Sequence, residues 1–117
     1  MTEESSFPRR GEIWYVYSPG QPADPHQPRP GLVISGDIRN RRRNHFIVVP
    51  IYSAGPIGPT RVALSRGTGA IDHDSVLFCE ELATIDLYFM VNGPLGSRVP
   101  EDVLDLVVLA INSAVAR

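Results

Sequence analysis

A chain of 117 residues has room for one domain around one core. Hydrophobic residues make up 43% and charged residues 21%, an ordinary globular balance, and no apolar run approaches the roughly 20 residues of a membrane helix. The net charge of −2 argues against a surface that is basic throughout and binds any nucleic acid.

In chain order, residues 1–8 read as a disordered lead to a single domain over 9–117. MTEESSFPRR lacks the basic-then-apolar order of a signal peptide, so cytoplasmic residence is expected. GEIWYVY (11–17) predicts a first strand, with Trp14 and Val16 on one face and Ile13, Tyr15 and Tyr17 on the other. SPGQPADPHQP (18–28) is too polar and proline-rich for a core and reads as a long exposed loop. PGLVIS (30–35) and HFIVVPIYS (45–53) are Val/Ile-rich runs joined by an Arg-rich turn, the pattern of an antiparallel hairpin.

AGPIGP (54–59) is a further exposed loop, TRVAL (60–64) a short strand and SRGTGAIDHD (65–74) turn-rich. SVLFCEELATID (75–86) starts as a buried strand and turns polar after Cys79, LYFMV (87–91) reads as a last strand, and NGPLGS (92–97) as a turn. The segment 99–117 predicts a helix, with Pro100 suited to its first position and Glu101 and Asp102 to its first turn. Val103, Leu104, Val107, Val108, Ile111 and Val115 mark its apolar face, which Leu106, Leu109 and Ala110 widen. The expected fold is a small, strongly bent β-sheet or barrel closed by a C-terminal helix.

All eleven basic residues are arginines, and Arg39, Arg41, Arg42 and Arg43 crowd the hairpin turn. At about 3.3 Å per residue, that turn lies roughly 25 Å from the open end of the hairpin. There Arg29 enters its strand opposite Tyr52 and Ser53, so one fixed cation faces two hydroxyls. Arginine favours planar, bidentate contact with phosphate. Asp24, His26 and Gln27, on the loop leading into Arg29, add proton-transfer and hydrogen-bonding groups. The plainer role for Arg29 is a strand-entry ion pair with Asp24 or Glu12.

The remaining motifs carry less. Cys79 is the only cysteine and sits in an apolar stretch, as buried structural cysteines do. His26, His45 and His73 show neither HxxxH nor HExxH spacing, and no metal or cofactor is expected. Gly67-Thr68-Gly69 lacks the lysine and the strand-to-helix context of a P-loop. Glu80 and Glu81 close a buried strand, as structural or recognition residues do.

Taken together, RRGEIWYV (9–16), RPGLVISGD (29–37), VVPIYS (48–53), SVLFCEELATID (75–86) and VPEDVLDLVVLAI (99–111) resemble the MazF/PemK toxins of bacterial toxin–antitoxin pairs. The resemblance implies a small SH3-like β-barrel with a C-terminal helix, and a homodimer. It also implies a metal-independent, sequence-specific endoribonuclease that cuts single-stranded RNA and is silenced by a cognate, MazE-like antitoxin. Arg29 matches the family's catalytic arginine. Position 52, usually threonine, is Tyr52, with Ser53 beside it keeping a hydroxyl; Asp24 stands where some members carry an acidic residue. Glu80 and Glu81 take the place of an Asp-Gln-like pair that helps read a base. Ala83 replaces a usual basic residue, and LYFM an often Arg-rich stretch. Some relatives with this fold poison DNA gyrase by protein contact, so a non-enzymatic toxin or binder is the alternative.

Overall fold

The computed structural model describes residues 7–18 and 27–116. Seven strands occupy Ile13–Val16 (β1), Arg29–Val33 (β2), His45–Tyr52 (β3), Arg61–Leu64 (β4), Ser75–Phe78 (β5), Ala83–Asp86 (β6) and Met90–Asn92 (β7). Helices occupy Asp37–Arg42 (α1) and Glu101–Val115 (α2). Every strand pairing is antiparallel, in the order β4-β5-β3-β2-β1-β7, with β6 also on β3. The result is a mainly antiparallel sheet with a C-terminal helix, as expected; the path is open rather than fully closed, ending at β4 and β7.

The fork lies on β3. Its first half pairs with β6 from His45 to Val48, and its last two residues pair with β5. One strand therefore serves two sheet directions, and both of its faces are covered. Ile13, Leu32, Val49, Ile51, Leu77 and Leu104 form the larger core, beneath α2. Val16, Val33, Phe46, Val48, Ile85 and Met90 form a second one, with Trp14 packed against it. Burial on both faces explains why the hairpin reads as nearly continuous Val and Ile instead of alternating with polar residues. Burying each large side chain such as Phe46 or Leu104 contributes about 1.5–3 kcal/mol.

Gly31 marks a tight crossing of these layers. A β-carbon there would stand 2.5 Å from Val48 Cγ1 and 3.4 Å from Val16 Cγ2. A bare backbone at this point lets β1, β2 and β3 close on one another.

The Arg-rich segment is a helix, not a simple turn. Asn40 is fully buried, donating to Ser35 O at 2.8 Å and to Asp37 Oδ1 at 3.2 Å, and accepting from Ser35 Oγ at 2.6 Å. Ser35 Oγ in turn accepts from the Ile47 amide at 3.1 Å, tying the helix to β3. Arg39 donates to His45 O at 2.9 Å, while Arg41, Arg42 and Arg43 are exposed.

Two other expectations are corrected. Residues 87–89 form a 3-10 turn before β7, capped by Asp86 Oδ1 accepting from the Tyr88 amide at 2.9 Å. In α2, Pro100 is the N-cap, one position earlier than expected, and Ala110 joins Leu104 and Val107 in the core while Val108 and Val115 stay exposed. In the lead, Pro8 is buried and Phe7 lies under the Arg9 guanidinium at 4.6 Å; residues 1–6 are outside the described residues. Among the described residues, no helix is long and apolar enough to cross a membrane.

Candidate functional site

The β2–β3 register sets Gly31 opposite Pro50, which brings Arg29 level with Tyr52 at the open end of the hairpin. The side chains meet: the Arg29 guanidinium carbon lies 4.2 Å from the centre of the Tyr52 ring. A guanidinium stacked by its face donates through its edge, the geometry that suits a phosphate.

The stack continues away from Arg29. Tyr52 packs on Phe78 with centroids 4.4 Å apart, and Arg61 lies 3.8 Å over the Phe78 ring. Arg61 then makes a forked contact with Glu80, Nη2 to Oε2 at 2.6 Å and Nε to Oε2 at 3.0 Å, while Thr60 Oγ1 donates to Glu80 Oε1 at 3.1 Å. The Arg61 hydrogen bond is the main cause holding the Glu80 carboxyl below its ordinary range, partly opposed by desolvation.

The two adjacent glutamates therefore part company. Glu80 is spent on Arg61, whereas Glu81 turns toward the Arg29 side and accepts from the Tyr52 hydroxyl at 2.8 Å. They lie in a 3-10 turn, Cys79–Glu81, where successive side chains point about 120° apart. Burial, with the Glu80 charge adding to it, pushes the Cys79 thiol up to about 11, as befits a structural thiol.

A small cleft opens over the second core. Val16, Pro30, Val48, Pro50 and Ile85 give it an apolar floor; Gln27, Arg29, Tyr52 and Glu81 give it polar walls, and Ala83 lines it without charge. The Ser18 amide donates to Gln27 Oε1 at this cleft, which both residues line. A second cleft shares Arg29, Pro30 and Tyr52 with the first and is lined as well by Tyr15, Ser53, His73 and Ser75.

Of the residues expected at the site, Arg29, Tyr52, Ser53, Gln27 and Glu81 thus gather around the two clefts, while Glu80 lines neither. Asp24 and His26 lie outside the described residues. Two groups escaped the sequence reading: Phe78, which supports the Tyr52 ring, and His73, which spacing alone gave no reason to bring to Arg29. Among the described residues, no three His, Cys, Asp or Glu side chains gather as a metal site would need.

This fold is shared with solved toxins. MazF from Deinococcus radiodurans superposes with a TM-score of 0.73 at 24% identity, covering 92% of this chain and 94% of that one. An endoribonuclease from a Mycobacterial species gives 0.72 at 19% identity, covering 92% and 89%. An endoribonuclease in complex with its cognate antitoxin, also Mycobacterial, gives 0.70 at 18%, covering 92% and 93%. No curated protein sequence matches the chain. The family model for the PemK-like, MazF-like toxin of type II toxin–antitoxin systems matches residues 9–115, nearly the whole chain, and the chain belongs to that family.

Proposed function

We propose that this toxin is a metal-independent endoribonuclease that cuts single-stranded RNA at a short sequence by attack of the 2′-hydroxyl. The observation that carries the reading is the Arg29–Tyr52–Glu81 constellation at the edge of an apolar cleft. RNA brings its own nucleophile, so the protein has to align it, move protons and stabilise charge on the phosphorane.

Arg29 binds the non-bridging oxygens through its edge. The Tyr52 hydroxyl has its proton directed at the Glu81 carboxylate. The phenol oxygen then accepts the 2′-hydroxyl proton as its own passes to Glu81, so the pair serves as the base. Asp24 and His26 remain proposed helpers from the long loop. The product is a 2′,3′-cyclic phosphate. Ser53, Gln27 and the unpaired bases of a single strand supply sequence reading around the clefts.

The cytoplasmic toxin acts as a homodimer and is silenced by a cognate MazE-like antitoxin. The exposed Leu106 and Leu109, beside Pro59, Val62 and Ala63, support a covered face on α2. The solved toxin bound to its cognate antitoxin supports the antitoxin partner.

One observation favours the alternative of a non-enzymatic toxin: the Tyr52 ring covers a face of Arg29 and replaces the family's usual threonine. Purified protein incubated with a long RNA in EDTA separates the two readings. Discrete cuts that Arg29→Ala abolishes, with urea unfolding showing no loss of stability beyond about 0.5–1 kcal/mol for its ring contact, support the ribonuclease. Equal cutting by that variant removes the central role of Arg29, and no cuts together with inhibited DNA gyrase support the alternative.

A further inference from the structure

Arg29 and Tyr52 belong to two clefts, and the chemistry above uses only the one holding Glu81. In the other, His73 is one of the lining residues. Its side chain is 58% exposed, open to a bound strand, and its Nδ1 lies 2.6 Å from Asp72 Oδ1. A carboxylate at that distance requires Nδ1 to carry a proton, which sets the ring's orientation and makes Nε2 the reacting atom. The Asp72 carboxyl is held below its ordinary range, first by this hydrogen bond and then by the His73 charge.

In-line displacement at phosphorus puts the attacking and leaving oxygens on opposite sides of the phosphorus. Acid and base must then approach from opposite sides as well. Two clefts share Arg29; the Tyr52–Glu81 pair lines one and the imidazole lines the other, so a phosphate on Arg29 has a separate proton-transfer group in each.

We infer that His73 is the general acid of the cleavage, with Asp72 as its positioning residue; this rests on the ribonuclease reading. The 2′-oxygen bonds to phosphorus as its proton passes to Tyr52 and the phenol's proton to Glu81. The P–O5′ bond breaks, its electron pair stays on O5′, and the Nε2 proton of the imidazolium joins it. Water then returns a proton to His73 and takes one from Glu81, restoring the starting state.

The groups around this imidazole are few. Asp72 lies on its own loop, with Arg66 acting on that carboxylate and Asp74 Oδ1 accepting from the Arg66 amide. Tyr15 from β1, Arg29 from β2 and Tyr52 from β3 line the cleft with it.

The test uses a leaving group that needs no acid. The cut site is mapped on a long RNA with the wild-type protein in EDTA; no cutting there would overturn the ribonuclease reading and this inference with it. An oligonucleotide spanning the mapped site is then made with oxygen or sulfur at the bridging 5′ position. His73→Gln is expected to slow the oxygen substrate by about 10²–10⁴-fold and the sulfur substrate by less than about threefold. Asp72→Asn should give a smaller loss on oxygen with the same rescue by sulfur. Equal losses on both substrates, or an undiminished rate on oxygen, would overturn the role of His73 while leaving that of Arg29 standing.

Discussion

Tyr52→Phe separates the two things this residue does. The phenylalanine ring keeps its place under Arg29 and against Phe78, while the 2.8 Å hydrogen bond to Glu81 is lost. That bond is exposed, so its removal costs about 0.5–1 kcal/mol of stability. For a chain of 117 residues, this lowers Tm by no more than about 6 °C. If the phenol carries the proton, the rate falls by about 10²–10⁴-fold, far beyond what so small a loss of folded protein produces.

Tyr52→Ala should behave differently. It also removes the ring, forfeiting about 0.5–1 kcal/mol of cation–π contact and about 0.5–1.5 kcal/mol of ring packing. Arg29 then loses its support, and KM rises in addition to the fall in kcat. The assay is single-turnover cleavage of a mapped oligonucleotide at 25 °C, run beside thermal melts of each variant. A Tyr52→Phe rate within about threefold of wild type would refute the proton-carrying role, since a transferred proton is worth at least about a hundredfold.

Two further outcomes test the fold beneath the site. Gly31→Ala should cost about 1–3 kcal/mol, because the new β-carbon meets Val48 Cγ1 at 2.5 Å in a layer with no slack; urea unfolding reads it directly. Cys79, with its thiol raised from 9.0 to about 11 by burial, should resist iodoacetamide at pH 8 until the protein unfolds. An unfolded chain ionises that thiol first, so its contribution to stability is complete below pH 9 and lost as pH rises toward about 11, as melts across that range would show.

The hairpin and its register were legible because Val/Ile runs and turn residues report local pairing. The alternation in β1 was legible too: Ile13 enters the larger core, while Trp14 and Val16 face the smaller one. The short helix α1 was not, because it depends on Asn40 reaching Ser35, whose hydroxyl in turn takes the Ile47 amide. Such tertiary hydrogen bonds leave no periodicity in the chain. At the site, Arg29 facing Tyr52 followed from counting residues along two strands. The parting of Glu80 from Glu81 did not, since it requires a 3-10 turn at Cys79–Glu81 and an arginine far away in sequence. His73 escaped for a related reason: it lies 44 positions beyond Arg29, and only the folded loop brings the two to one cleft.

The fork in β3 has a consequence for how such a toxin diversifies. Its inner residues, Phe46 to Ile51, are shared between two cores, so nearly any exchange there disturbs packing. Its last residue borders both clefts and neither core. In the proposed ribonuclease, position 52 is thus a point where the hydroxyl can be exchanged, threonine for tyrosine, without disturbing either core. On that proposal, one amino acid at the tip of one strand can reset how protons move around a bound phosphate, while the scaffold beneath it stays the same.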